Sequence, residues 1–112
     1  MSLVQKHSHG DVATLSVIAP RLDAANSNEA LQAILAELDP KTPRVVLDLE
    51  QIGYLSSAGL RTLVQTAKRV KADGGRLALC AVRPPVREII DIAGFDTLMP
   101  VLADRTAAQG AW

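Results

Sequence analysis

The chain has 112 residues, the length of one small domain, and its 48 % apolar content supplies one core and not two. Twelve basic residues balance 12 acidic ones, so no broad field draws it to nucleic acid or to an anionic membrane. The only aromatics are Tyr54, Phe95 and Trp112, too few for a base-stacking platform, and the core must be built from Leu, Val, Ile and Ala.

Residues 3–9 alternate weakly and predict a first edge strand, and His9-Gly10-Asp11 reads as a turn. Val12, Leu15, Val17 and Ile18 predict a second strand over 12–19, paired antiparallel to the first and ended by Pro20. Asn26 with Glu29 three residues on has the spacing of a capping box. Leu31, Ile34, Leu35 and Leu38 follow at the spacing of an amphipathic helix, which Asp39-Pro40 stops.

Residues 44–49 begin with a continuous apolar run, Val45-Val46-Leu47, as expected of a central strand covered on both faces. Residues 51–55 then lead to two serines, Ser56 and Ser57. Leu60, Leu63, Val64, Ala67 and Val70 form a second helical stripe, with Arg61, Gln65, Lys68 and Arg69 facing water. Asp73-Gly74-Gly75 closes that helix. A buried strand is predicted over 77–82, a turn at Arg83-Pro84-Pro85, and a short helix on Val86, Ile89, Ile90 and Ala93 that ends at Gly94. A last short strand is expected within 97–102, and the tail 103–112 is either a short helix or a frayed end.

The order β-β-α-β-α-β-α-β predicts a single α/β domain over 1–112. Its mixed sheet has about five strands covered by helices, and its crossovers are right-handed. The one cysteine, Cys80, lies in an apolar run and reads as a buried structural residue, which leaves no disulfide framework and no Cys-based metal site. His7 and His9 lack an acidic or cysteine neighbour at ligand spacing, so no metal is expected. No segment reaches transmembrane length and no signal-peptide core is visible, which predicts a cytoplasmic protein.

The strand-to-helix junction Tyr54-Leu55-Ser56-Ser57-Ala58-Gly59-Leu60 is where function is sought. Helix starts carry unpaired N–H groups and partial positive charge, so a serine there suits a cap, a nucleophile or a phosphorylation switch, and spacing alone favours the cap. Ser56 reads as the cap. A hydrolase would need a base and an orienting acid, and no glycine stands two residues before Ser57 to make a nucleophile elbow. No glycine-rich phosphate loop is present, and no enzyme activity is expected.

Asp48-Leu49, Ile52 and Tyr54-Leu55-Ser56-Ser57-Ala58-Gly59-Leu60-Arg61 resemble the signature of STAS domains, and more narrowly that of bacterial anti-sigma factor antagonists. Arg21-Leu22-Asp23-Ala24, Gly74-Gly75-Arg76-Leu77 and Val86, Ile90, Gly94-Phe95 agree in order, and the resemblance spans roughly residues 5–102. It implies a STAS-type fold and a regulatory role by partner switching. An unphosphorylated antagonist captures a serine kinase that doubles as an anti-sigma factor, and phosphorylation by that kinase releases it. Members of the family read Asp-Ser-Ser/Thr-Gly at this point, and the first hydroxyl after the aspartate is modified. Counted back from Gly59, that position is Ser57, with Ser56 as the alternative. Ser56 stands in place of the aspartate, and Ala58 removes the second hydroxyl.

The resemblance also points to Asp23, Ser56, Ser57, Gly59, Arg61 and Arg83 as partner-binding residues. The partners it implies are an ATP-binding serine kinase and a phosphatase that resets the protein. No cofactor, nucleic acid or membrane insertion is expected, and no homodimer is predicted, although the first strand and Trp112 offer pairing surfaces. Two other readings stay open: a non-phosphorylated STAS subunit of a membrane lipid ABC transporter, and a serine-dependent enzyme.

Overall fold

A computed structural model describes residues 3–95 and 97–110. The chain opens with β1 (Val4–His9) and β2 (Val12–Val17), an antiparallel hairpin across the Gly10-Asp11 turn. It continues through β3 (Arg21–Leu22), α1 (Ser27–Ala36), β4 (Arg44–Asp48), β5 (Tyr54–Leu55) and α2 (Ser57–Ala72). It closes with β6 (Arg76–Cys80), α3 (Pro84–Ile92), β7 (Val101–Leu102) and α4 (Arg105–Gln109). The main sheet runs β1-β2-β4-β6-β7, parallel except for β1 at the edge. The predicted mixed five-stranded sheet and the strand–helix order are therefore what the chain forms.

Parallel pairing makes β2, β4 and β6 end at one edge of the sheet, where α1, α2 and α3 begin. Leu15, Leu47 and Leu79 stand in one register across the three central strands, each fully buried. With Val17, Val45 and Leu77 they form the floor of the main core, roofed by Ile34 of α1, Leu63, Ala67 and Val70 of α2, and Val86 and Ile90 of α3. The opposite face carries a smaller cluster, Val12, Val46 and Cys80, beneath Ala108 of α4. Burial on both faces is why the central strands read as unbroken apolar runs.

Several elements depart from the sequence expectation. A second, two-stranded parallel sheet joins β3 to β5, pairing Arg21 with Tyr54 and Leu22 with Leu55. Two-residue strands leave no periodicity to detect. Asn26 precedes α1 but its side chain does not cap it. It accepts from the Asp23 N–H at 3.0 Å and donates to the Arg21 carbonyl at 2.9 Å, so it ties the turn before the helix. The buried line of α1 runs through Ala30 and Ile34, with Leu31, Leu35 and Leu38 only half-buried. The small Ala30 and the Thr62 hydroxyl, which donates to the Ser27 carbonyl at 3.0 Å, set the approach of α1 to α2.

The strand β6 stops at Cys80 because Ala81 turns into the left-handed region at φ 55°. β7 is reduced to two residues: Pro100 accepts from the Leu79 N–H but has no N–H of its own to extend the ladder. Ala93, assigned to the apolar stripe of α3, is exposed. The end of α2 is as predicted. Gly74 at φ 84° lets its own N–H reach the Lys71 carbonyl and the Gly75 N–H reach the Val70 carbonyl, closing the helix in a Schellman motif. The tail 103–110 forms α4, capped by Asp104, whose carboxylate accepts from the Ala107 N–H at 2.8 Å. Trp112 lies outside the described residues.

Candidate functional site: the serine turn and its supports

Two strands of the chain are zipped together to make the serine turn. The Gly53 N–H donates to the Pro20 carbonyl at 2.8 Å and the Ser56 N–H to the Leu22 carbonyl at 3.0 Å, with the β3–β5 pair between them. Ser56 then takes an extended conformation at the start of α2, and its Oγ accepts from the Gly59 N–H at 3.2 Å. The sequence assignment of Ser56 as the cap is correct. Ser57 follows as the first helical residue. It is exposed, and its hydroxyl has no hydrogen bond among the described residues.

Gly59 is required by crowding. A Cβ there would collide with the Leu22 carbonyl oxygen and come within 2.8 Å of Leu55 Cδ1. The absence of a side chain at Gly59 is thus what lets α2 start tight against the 20–23 segment, whose Leu22 carbonyl accepts from the Ser56 N–H.

Asp23 is first of all a turn residue. Its carboxylate accepts from the Ala25 N–H at 3.0 Å and pairs with Arg21 Nε at 2.8 Å, and its carbonyl accepts from the Ser27 N–H. Arg21 in turn lies over the Tyr54 ring at 5.1 Å, and Tyr54 remains 49 % exposed. Sequence reasoning named Arg21 and Tyr54 only as members of motifs; a cation and an aromatic meeting across paired two-residue strands have no signature along the chain. Arg61, one turn beyond Ser57, is exposed and has neither ion pair nor hydrogen bond among the described residues. It borders a shallow groove between α1 and α2, with Asn28, Leu31 and Gln65.

Arg83 makes no hydrogen bond to this cluster among the described residues. Its Nε donates to the Glu50 carbonyl at 2.7 Å, on the loop between β4 and β5, and not to the serine turn. The same Glu50 is held from the other side, since its N–H donates to Asp48 Oδ1 at 3.0 Å. Asp48 Oδ2 receives Arg105 of α4 at 2.8 and 3.2 Å, and Arg105 also donates to Ser16 Oγ at 2.8 Å. One carboxylate, 7 % exposed, therefore links the C-terminal helix to the loop that leads into the serine turn. Asp48 was noticed in sequence only as part of a motif, and Arg105 not at all, because 57 residues separate the two.

Among the described residues no acidic, histidine or lysine side chain hydrogen-bonds to either serine, and no group of three His, Cys, Asp or Glu is placed to hold a metal. Burial, with the nearby Asp48 charge, pushes the Cys80 thiol up to about 12, which keeps it protonated and unreactive. No described helix is long and apolar enough to cross a membrane.

Residues 4–108 match the model of the STAS domain. The chain belongs to the STAS domain family. An anti-sigma factor antagonist of Bordetella bronchiseptica, BtrV, is 40 % identical to this STAS domain over 91 residues, covering 81 % of this chain and 78 % of the relative. An anti-sigma F factor antagonist of Paenibacillus polymyxa is 27 % identical over 90 residues, 76 % of this chain and 77 % of the relative. The structure of an anti-sigma factor antagonist STAS protein from Planctomyces limnophilus superposes with a TM-score of 0.87 at 27 % identity, over 99 % of this chain and 98 % of that one. The STAS match takes in the serine turn and all of α4 but its last residue, Gln109.

Proposed function

We propose that this STAS domain is an anti-sigma factor antagonist that works by partner switching, with Ser57 as the phosphorylated residue. The observation that carries the reading is the division of labour between the two serines. Ser56 spends its hydroxyl on the helix cap, while Ser57 presents a hydroxyl that the fold does not use. In the unphosphorylated form, Ser57, Arg61 and Asp23 with its partner Arg21 form a surface that receives a serine-kinase anti-sigma factor in the cytoplasm. The kinase brings ATP and Mg²⁺. A phosphate adds roughly −1.5 to −2 charges at the centre of that surface and ends the complex. The helix N-terminus favours negative charge, so the modified chain keeps its fold and the effect is confined to the interface. A phosphatase restores the neutral serine. In this scheme the chain itself performs no catalysis.

Mass-spectrometric mapping on protein isolated from its native cells tests the reading. Partial phosphate occupancy at Ser57 is expected. Its absence in both growing and stressed cells, or its placement at Ser56, would overturn the assignment.

A further inference from the structure

Arg61 is the one charged side chain among the described residues that line the groove between α1 and α2, and nothing in the fold engages it. Most other arginines here do engage a partner: Arg21 holds Asp23, Arg44 holds Asp11, Arg69 holds Asp73, Arg87 holds Asp91 and Arg105 holds Asp48. Arg61 lies four residues after Ser57 on the same helix. That spacing stacks two side chains on one face, and an anion placed N-terminal to a cation is the favourable orientation. A phosphate on Ser57 reaches further than a carboxylate, and guanidinium binds phosphate in a two-pronged geometry.

From this placement we propose that Arg61 is the intramolecular clamp for a phosphate on Ser57, and that phosphorylation withdraws from the α1–α2 groove the cation available there to an acidic partner. The inference rests on the reading of Ser57 given above and adds a second action to the switch. The phosphate does more than repel: it also consumes a contact. Before modification the groove offers Arg61 beside the amides of Asn28 and Gln65, a setting for a partner carboxylate. After modification the guanidinium is occupied one turn away, and the groove is left with neutral side chains only.

The test uses the full chain with phosphoserine encoded genetically at position 57, so that it does not depend on any kinase. The second ionisation of the phosphate is followed by ³¹P NMR titration in the parent protein and in the Arg61→Gln and Arg61→Lys variants. A nearby cation favours the dianion, so the clamp lowers that pKa from its usual value near about 6. Arg61→Gln is expected to raise it by about 0.5 units or more, and Arg61→Lys to restore most of the difference. Arg61 is exposed, so all three proteins fold, which circular dichroism verifies. Titrations of the parent and Arg61→Gln that coincide within about 0.1 unit would overturn the clamp. Ser57 found unmodified in cells would instead overturn the proposed function while leaving the titration result standing.

Discussion

Removing Arg105 should loosen this protein far more than its position five residues before the last described residue suggests. In the Arg105→Ala variant, Asp48 Oδ2 loses donors at 2.8 and 3.2 Å and Ser16 Oγ loses one at 2.8 Å. Breaking a fully buried ion pair from one side costs about 3–5 kcal/mol, because the remaining charge is stranded. A fully exposed pair contributes only about 0–1 kcal/mol. Asp48 is near the first limit at 7 % exposure, but the Arg105 side chain is 39 % exposed, so water reaches part of the vacated space. A loss of about 1.5–3 kcal/mol follows, equivalent to a fall in Tm of roughly 6–12 °C for a domain of this size. Urea unfolding followed by circular dichroism measures it, with Asp48→Asn as the second arm of a double-mutant cycle. Asparagine keeps an acceptor for the Glu50 N–H but carries no charge, so Arg105→Ala should cost at least about 1 kcal/mol less in that background. Hydrogen exchange at the Glu50 amide should accelerate with Arg105→Ala, since its acceptor is no longer held in place. A loss below about 0.5 kcal/mol, or an equal loss in both backgrounds, would refute the reasoning that a stranded carboxylate sets the cost.

The two serines should separate in a stability assay: Ser56→Ala is expected to lose about 1 kcal/mol as a missing cap, and Ser57→Ala less than about 0.5 kcal/mol, by urea denaturation. Gly59→Ala should destabilise by about 1–3 kcal/mol, because the added methyl meets the backbone of Leu22, which cannot swing aside as the Leu55 side chain can, and a Tm unchanged from the parent would contradict the crowding. The Cys80 thiol should resist a thiol reagent in the native state at about pH 8 and react at once in denaturant. Because burial raises its pKa from an ordinary 9.0 to about 12 in the folded chain, the stabilisation from keeping the thiol neutral is complete below 9.0 and is lost as pH rises toward 12. Native-state labelling as fast as that of the unfolded chain would show that the site is open.

What the sequence disclosed depended on how local each signal was. The stripe Leu63, Val64, Ala67 and Val70 and the run Val45-Val46-Leu47 repeat at helix and buried-strand periods, and both elements formed as read. The Ser56 cap was legible because cap and donor are three residues apart. Asn26 has equally good capping chemistry and does something else, because the Asp23 N–H and the Arg21 carbonyl are brought to it by the turn and compete for its amide. The pairing of β3 with β5 and the Asp48–Arg105 bridge join segments 33 and 57 residues apart, and no pattern in either segment announces the other. The serine turn was legible because it lies on one stretch, residues 56–61, whereas the bond from the Arg83 guanidinium to the Glu50 carbonyl joins segments with no shared pattern.

The β4–β5 loop is the point where the unread parts converge on the part that was read. Glu50 has its N–H held by Asp48 and its carbonyl by Arg83, and β5, which leads into the serine turn, begins four residues after Glu50. Asp48 is fixed from the far face of the sheet by α4, and Arg83 begins α3 on the near face. A helix N-terminus gains its specificity from being presented in one orientation, and two-residue strands cannot supply that rigidity alone. The Asp48–Arg105 pair and the Arg83–Glu50 bond supply it, by anchoring both ends of the Glu50 peptide to elements that the core already holds. The proposed switch on an exposed hydroxyl would need such a mount: a phosphate there would change charge and leave the backbone alone, so its effect on a partner would be only as definite as the position of Ser57 before modification.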